Sequence, residues 1–333
     1  MLSKTDFDKA LQLVRVAQKI LLTTHVRPDG DACGCMAALA EALRGQGKDV
    51  RLLMLSEMPQ WYGFLFDEKI PVLGKDLKVE DLKGGALGEF DLAIIVDTNS
   101  NNQLPGFAEY LKGRKGKVLV IDHHLTGDKL GDVELVDTGA SAAALIVLDL
   151  FKAAGWKVTE SVAEALFVAI ATDTGWFRFS NTDARTLRVC AELIEKGAEP
   201  TSLYRRLYEN FSPARFKLMT AMLESLELHF DGRYAVQYLT LNDFARSGAH
   251  FSDTENLIDE CQRIAGVEVA ALFVELEDGR IKCSLRSKGA VDVRQICQQF
   301  GGGGHKQAAG THLQGPLEKA RQAIFDKVCE KLA

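Results

Sequence analysis

The sequence predicts an α/β protein: an N-terminal parallel-sheet domain with helices on both faces, a helical connector, and a smaller C-terminal α/β domain. Three observations predict it. Short, continuous apolar runs recur through the first half, separated by helical patterning, as in a sheet buried on both faces. Past His229 the texture changes to strands joined by a tight turn. The length of 333 residues suits two domains of ordinary size. The expected boundaries are 1–190, 191–228 and 229–333.

In chain order, residues 6–18 carry apolar side chains at helical spacing. Ile20 to Thr24 reads as a buried strand that ends in a polar loop, His25 to Asp31. Ala32 to Leu43 reads as a helix, stopped by Gly45 and Gly47. Asp49 to Met54 is a second strand, so strand, helix and strand form the unit of a parallel sheet. Leu92 to Val96 and Val118 to Ile121 are further buried strands, with a shorter one at Val133 to Val136. Helices are expected over Ser141 to Ala154 and Ser161 to Ala171. From Asp183 to about Glu227 the pattern is helical, broken at Pro200 and Pro213. Tyr234 to Leu241, Val267 to Leu276 and Ile281 to Arg286 read as strands, the last two closed into a hairpin by Glu277 to Arg280. Helices are expected over Thr254 to Ala265, Val291 to Phe300 and Pro316 to Leu332, with another small-residue helix after Lys306.

Composition narrows the function classes. Apolar residues make up 47% of the chain and the net charge is −6. A duplex-binding protein usually carries a basic surface, so this balance argues against that partner. It leaves room for a small phosphate substrate, because bound cations would reverse the local field. No apolar run approaches the ~20 residues of a membrane span, and the first residues lack a signal-peptide layout. Seven cysteines without a framework spacing suit a reduced, cytoplasmic setting.

Four clusters carry chemistry. His25, Asp29 and Asp31 stand in one tight loop after a strand, shaped by Pro28 and Gly30. As a plain loop, the segment would offer Asp31 as a helix cap. Asp97 ends the strand Leu92 to Val96. Asp122-His123-His124 ends the strand Val118 to Ile121. Asp173 ends a helix, where the dipole disfavours an acid. Ligand crevices in such sheets lie at the carboxyl ends of the strands, so these side chains should meet on one rim. That much negative charge calls for divalent cations. Oxygen and imidazole donors suit manganese, magnesium or iron better than structural zinc, and the donor number suits two ions ~3.5–4 Å apart. Cys33 and Cys35 lack a metal-knuckle spacing and read as small buried residues.

In the second domain, Gly301-Gly302-Gly303-Gly304 precedes His305 and Lys306. A glycine run is either a flexible connector or a backbone nest for an anion. Trp176, Phe177 and Phe179 follow the fourth cluster. Aromatic residues there stack a base or pack a core, and packing is expected for at least two of them.

These motifs, in this order, resemble the DHH phosphoesterase family, named for the triplet at Asp122-His123-His124. The glycine run with His305 is similar to the motif of the DHH-associated domain. The short two-domain form is similar to the nanoRNase and pAp phosphatase branch. The resemblance implies that His25 and Asp29 bind one metal, that Asp31, His123 and Asp173 bind the other, and that Asp97 bridges both. Asp122 would orient a histidine, and His124 would contact phosphate or act as an acid. Arg286, Gly302, Gly303, Gly304 and His305 would hold the far end of the substrate in an interdomain cleft that measures its length.

The resemblance also implies two divalent cations, Mn2+ foremost with Mg2+ or Co2+ as alternatives. Expected partners are short single-stranded RNA or DNA oligonucleotides and 3′-phosphoadenosine 5′-phosphate (pAp), with no duplex and no membrane; dimers are common among similar proteins. Other readings are turnover of a linear or cyclic dinucleotide such as pApA, and a non-catalytic nucleotide-binding regulator. A family-II pyrophosphatase fits less well, since its second domain lacks the glycine-rich motif.

Overall fold

Five apolar segments of the first half pair into one parallel sheet: β1 (Lys19–Thr24), β2 (Asp49–Leu53), β3 (Leu92–Val96), β4 (Lys117–Asp122) and β5 (Val133–Val136), in the order β2-β1-β3-β4-β5. The computed structural model describes residues 2–113, 116–304 and 306–332. The chain divides into two units, Met1–Asn210 and Phe211–Ala333.

The apolar runs are continuous because both faces of the first sheet are covered. Ile20, Leu22, Ile94, Val96, Leu119 and Ile121 pack on α1 (Lys4–Val16), α2 (Gly30–Gly45), α5 (Ala143–Ala154) and α6 (Glu160–Asp173). Leu21, Ala93, Ile95, Val118 and Val120 point the other way, towards Leu82 of α3 (Val79–Lys83) and Phe107 and Leu111 of α4 (Phe107–Lys112). The chain leaves β1 through α2 to β2 on one side, and β3 lies on the other. The strand order therefore reverses between β1 and β3, which opens a crevice at their carboxyl ends.

Helices α2 and α6 cross at unusually short range. A Cβ on Gly34 would stand 2.2 Å from the Ala165 carbonyl oxygen, and one on Gly30 would stand 2.2 Å from Thr172 Oγ1. Only glycine allows this approach. It brings the first turn of α2 beside the last turn of α6.

The unit ends with α7 (Ala184–Glu195) and α8 (Pro200–Tyr208), while α9 (Pro213–Glu224) lies in the second unit. Pro200 and Pro213 are the first residues of their helices, where a missing N–H costs nothing.

The second unit is a six-stranded sheet in the order β10-β11-β9-β8-β7-β6. In chain order these are β6 (Glu227–His229), β7 (Tyr234–Leu239), β8 (Val269–Glu275), β9 (Arg280–Ser287), β10 (Gly303–Gly304) and β11 (Ala308–Gln314). Only β7 and β8 are parallel neighbours. One face packs on α11 (Val293–Gln298) and α12 (Leu317–Leu332), and part of the other on α9. A short α10 (Leu241–Ser247) follows β7.

Two expectations need correction. The helix expected over Thr254 to Ala265 is a pair of 3-10 turns, Phe251–Thr254 and Leu257–Arg263. Asn256 lies between them with φ of 57°, a left-handed conformation that interrupts a helix. The helix expected after Lys306 is strand β11. Ala309, Thr311 and Leu313 are buried in alternation there, and that period of two outweighs the helix preference of alanine.

Candidate metal centre and substrate-binding face

His25, Asp29 and Asp31 follow β1, Asp97 follows β3, Asp122 ends β4 with His123 and His124 after it, and Asp173 ends α6. Each is fixed by its local structure. The Asp29 side chain is the N-cap of α2, accepting the N–H groups of Asp31 at 3.0 Å and Ala32 at 3.1 Å. Asp31 therefore does not cap its own helix. Its buried carboxylate crosses to the N-terminus of α5 and accepts the N–H groups of Ala143 (2.5 Å) and Ala144 (3.0 Å). Aligned amides at a helix start are natural partners for a negative charge. The Cys35 thiol adds a 3.4 Å contact to the same carboxylate, and both Cys33 and Cys35 are buried. Asp97 takes a left-handed turn with φ of 59°, which aspartate tolerates better than most residues.

The imidazoles share one design. His25 Nδ1 donates to the Val26 carbonyl at 2.9 Å, and His123 Nδ1 donates to the Ala140 carbonyl at 3.1 Å. A carbonyl only accepts, so both Nδ1 atoms carry protons and both Nε2 atoms face the crevice. His25 Nε2 lies 3.3 Å from Asp97 Oδ2. His123 Nε2 lies 3.4 Å from Asp97 Oδ1, 3.6 Å from Asp173 Oδ2 and 3.9 Å from Asp31 Oδ2. His124 Nδ1 instead binds Asp122 Oδ1 at 2.7 Å. The same Asp122 oxygen accepts the backbone N–H groups of His123 and His124.

Asp29, Asp31, Asp97 and Asp173 face the His25 and His123 imidazoles and shift their protons. Burial pulls the His25 and His123 pKa values down, but hydrogen bonds and charge from Asp97 and its neighbours raise them to about 9 and about 11. Burial lifts Asp173 to about 7, with Asp97 and Asp29 adding to the effect and His123 opposing it. Burial also pushes Asp31 well up, helped by Asp97 and Asp173. Asp97 resists burial because His123 and His25 bond to it, and it stays well below the usual carboxylate range.

The donor set fits divalent cations. Ligand atoms of His25, Asp29 and Asp97 lie within 4.8 Å of one another, and so do those of Asp31, His123 and Asp173. Asp97, His123 and His124 form a third such group. Asp97 Oδ1 is buried, and its 3.4 Å contact with His123 Nε2 is too poorly aligned to satisfy it fully. An orphaned carboxylate oxygen is costly, and a cation between it and His123 Nε2 would satisfy it.

Sequence reasoning missed the segment 137–144, which supplies the Ala140 carbonyl and the Ala143 and Ala144 amides. It also missed the glycine crossing, whose signal is Gly30 and Gly34 at i and i+4 in the alanine-rich helix. Of the three aromatics, Trp176 and Phe177 pack edge-on against Phe167, while Phe179 is 52% exposed.

In the second unit, Arg286 lies on a β9 face with Lys282 and Ser284, opposite Ala308, Gly310 and His312 of β11. Its Nε is 3.1 Å from Asp259 Oδ1. The last two glycines of the run, Gly303 and Gly304, form the edge strand β10. A Cβ on Gly302 would meet the Gly310 carbonyl at 2.3 Å, and one on Gly304 would meet that of Ala308 at 2.5 Å. Gly303 is exposed with nothing near its Cβ position. His305 lies outside the described residues.

The chain is similar to known proteins over nearly its whole length. Residues 19–170 match the DHH family, N-terminal domain, and residues 231–333 match the DHHA1 domain. The bifunctional oligoribonuclease and PAP phosphatase NrnA of Thermus thermophilus is 32% identical over 96% of this chain and 92% of its own. The protein of the same name from Bacillus subtilis is 29% identical over 98% and 99%. A crystal structure of an exopolyphosphatase-related protein from Bacteroides fragilis superposes with a TM-score of 0.92 at 25% identity, covering 99% of this chain and 96% of that one. With both domain models matched in order and near full-length relatives, the chain belongs to the DHH family.

Proposed function

We propose that this chain is a two-metal phosphoesterase that hydrolyses short single-stranded oligonucleotides, di- to pentanucleotides, to 5′-mononucleotides and converts pAp to AMP. One observation carries the chemistry: Asp97 stands between the His25–Asp29 and Asp31–His123–Asp173 groups, with one oxygen towards each histidine. The names of the near full-length relatives support the substrates.

His25, Asp29 and Asp97 would hold one cation, and Asp31, His123, Asp173 and Asp97 the other, with Mn2+ the expected ion. Two such ions, when bound, activate an attacking water and offset charge on the phosphoryl oxygens. Asp122 fixes the His124 ring through Nδ1, and His124 would contact phosphate or donate a proton to the leaving oxygen. Arg286, with Gly302, Gly303, Gly304 and His305, would grip the far phosphate or base, a task suited to the planar guanidinium fork. No helix among the described residues is long and apolar enough to cross a membrane. Seven free cysteines suit the reducing cytoplasm.

The test is a length series of 5′-phosphorylated oligoribonucleotides, with pAp and pApA alongside, given to the manganese-loaded protein. A His123→Ala variant serves as the control. Rapid mononucleotide release from the shortest strands, absent in the variant, supports the proposal. A marked preference for pApA would instead indicate second-messenger turnover. Binding without cleavage would leave a nucleotide-binding regulator.

A further inference from the structure

The segment 137–144 touches two of the six residues assigned to the cations and reaches a third, Asp173, through Asn181. The Ala140 carbonyl accepts His123 Nδ1, and the Ala143 and Ala144 amides hold Asp31. Asn181 Nδ2 bridges the Ser141 carbonyl (3.1 Å) and the Asp173 carbonyl (3.2 Å).

The segment does not hold its own shape through apolar packing alone. Asp137 is its anchor: its N–H reaches the Asp122 carbonyl, its Oδ1 accepts the Gly139 N–H, and its carbonyl accepts the Ala140 N–H. The remaining oxygen, Oδ2, is gripped by Arg185 Nη1 at 2.8 Å, while Arg185 Nη2 binds Asp149 of α5 at 2.7 Å. Next to Arg185, Thr186 Oγ1 meets Ser141 Oγ at 2.8 Å and Asp183 Oδ1 at 2.8 Å. The first turn of α7 therefore braces the loop at both ends. Asp137 is buried and Arg185 is partly so, which makes the pair stronger than an exposed one.

We propose that Arg185 is a positioning residue for the metal centre: by clamping Asp137 to Asp149 it sets where the Ala140 carbonyl and the α5 amides stand, and through them the aim of His123 and Asp31. It touches neither cation nor substrate. The inference rests on the metal assignment above. Partners that orient metal ligands are worth about 10–100-fold in metal affinity, and a fork bonded to two carboxylates is not replaced by the single ammonium of lysine.

The experiment is calorimetric titration of the metal-free full-length protein with manganese, for the wild type and for Arg185→Met, Arg185→Lys, Asp149→Asn and Ser141→Ala. Melting temperature and KM at saturating manganese are measured alongside. Arg185→Met should lose about 10–100-fold in manganese affinity while KM for a dinucleotide stays within about twofold. Asp149→Asn should lose less, since Asp137 keeps its partner. Manganese affinity within twofold of wild type in Arg185→Met would overturn the inference, even if the melting temperature falls. Should Arg185→Met fail to fold, unchanged affinity in both Arg185→Lys and Ser141→Ala would overturn it equally. A wild type that binds manganese yet cleaves nothing would refute the proposed activity and leave the clamp to be decided by affinity. A wild type that binds no manganese would refute the metal assignment itself.

Discussion

Replacing Gly34 by alanine adds one methyl group where two helices meet. Its Cβ would stand 2.2 Å from the Ala165 carbonyl oxygen and 2.9 Å from Ala169 Cβ, whereas contacts under 3.0 Å essentially never occur. The nearest obstacle is backbone, so no side-chain rotation relieves it. Helices α2 and α6 must separate by about 1 Å, and overpacking of this kind costs about 1–3 kcal/mol. In a domain of this size each kcal/mol lowers Tm by about 2–4 °C, so a fall of roughly 2–12 °C is expected. The functional loss should be larger. Asp31 rides on α2 and Asp173 on α6, and metal sites tolerate displacements of only about 0.2 Å. Affinity for the second cation should drop at least about tenfold. Differential scanning calorimetry without metal and a manganese titration read the two effects separately. Gly45→Ala is the control: it lies in the same helix with nothing within 4 Å of its Cβ position, and should stabilise by about 0.5–1 kcal/mol. A Gly34→Ala protein with wild-type Tm and full manganese stoichiometry would refute the close-approach argument.

Further tests address charge and recognition. The raised pKa values of His25 (about 9) and His123 (about 11) mean their pairing with Asp97 stabilises the metal-free fold fully below the unfolded value of about 6.5. That stability is lost as pH rises through 9 and then 11, so metal-free Tm should fall over that window, and a flat profile would contradict it. Manganese binding at pH 8 should release about two protons, detectable by calorimetry in buffers of different ionisation enthalpy; zero release would show that the imidazoles are already neutral. Asp97→Asn should lower kcat by at least about 10³-fold, as expected if it serves both cations; retained activity would exclude a shared ligand. Phe179→Ala should leave Tm nearly unchanged but raise KM for oligonucleotides, because base stacking is worth about 1–3 kcal/mol. Trp176→Ala should lower stability by about 3 kcal/mol, and thermal denaturation decides whether the two aromatics differ in this way.

Much of the first unit was legible because its signals are local. Strands β3 and β5 fall where continuous apolar runs place them, and the acid or imidazole at each strand end follows from chain order alone. What the sequence could not disclose is which side chain serves which backbone. Asp31 reads as a cap for α2, yet it answers the N-terminus of α5 more than a hundred residues away. Asp137 and Arg185 carry no local signal, because nothing in the sequence pattern says that the two will pair across 48 residues. In the second unit, Ala308 to Gln314 misleads because alanine favours helices, while Ala309, Thr311 and Leu313 are buried at the strand period of two. Asn256 ended the expected helix by a left-handed turn that the apolar pattern does not encode.

The close packing of α2 on α6 also bears on when the proposed metal centre can assemble during synthesis. The earliest of the proposed ligands, His25, leaves the ribosome long before the last, Asp173. The amides that settle Asp31 belong to α5, and the helix that carries Asp173 must dock on Gly30 and Gly34 before the ligands can meet. A nascent chain that stops short of Asp173 displays most of the acids and histidines with no geometry to hold a pair of cations. If the proposed activity holds, nuclease chemistry beside a translating ribosome is withheld by the order of the chain itself, without a separate inhibitor.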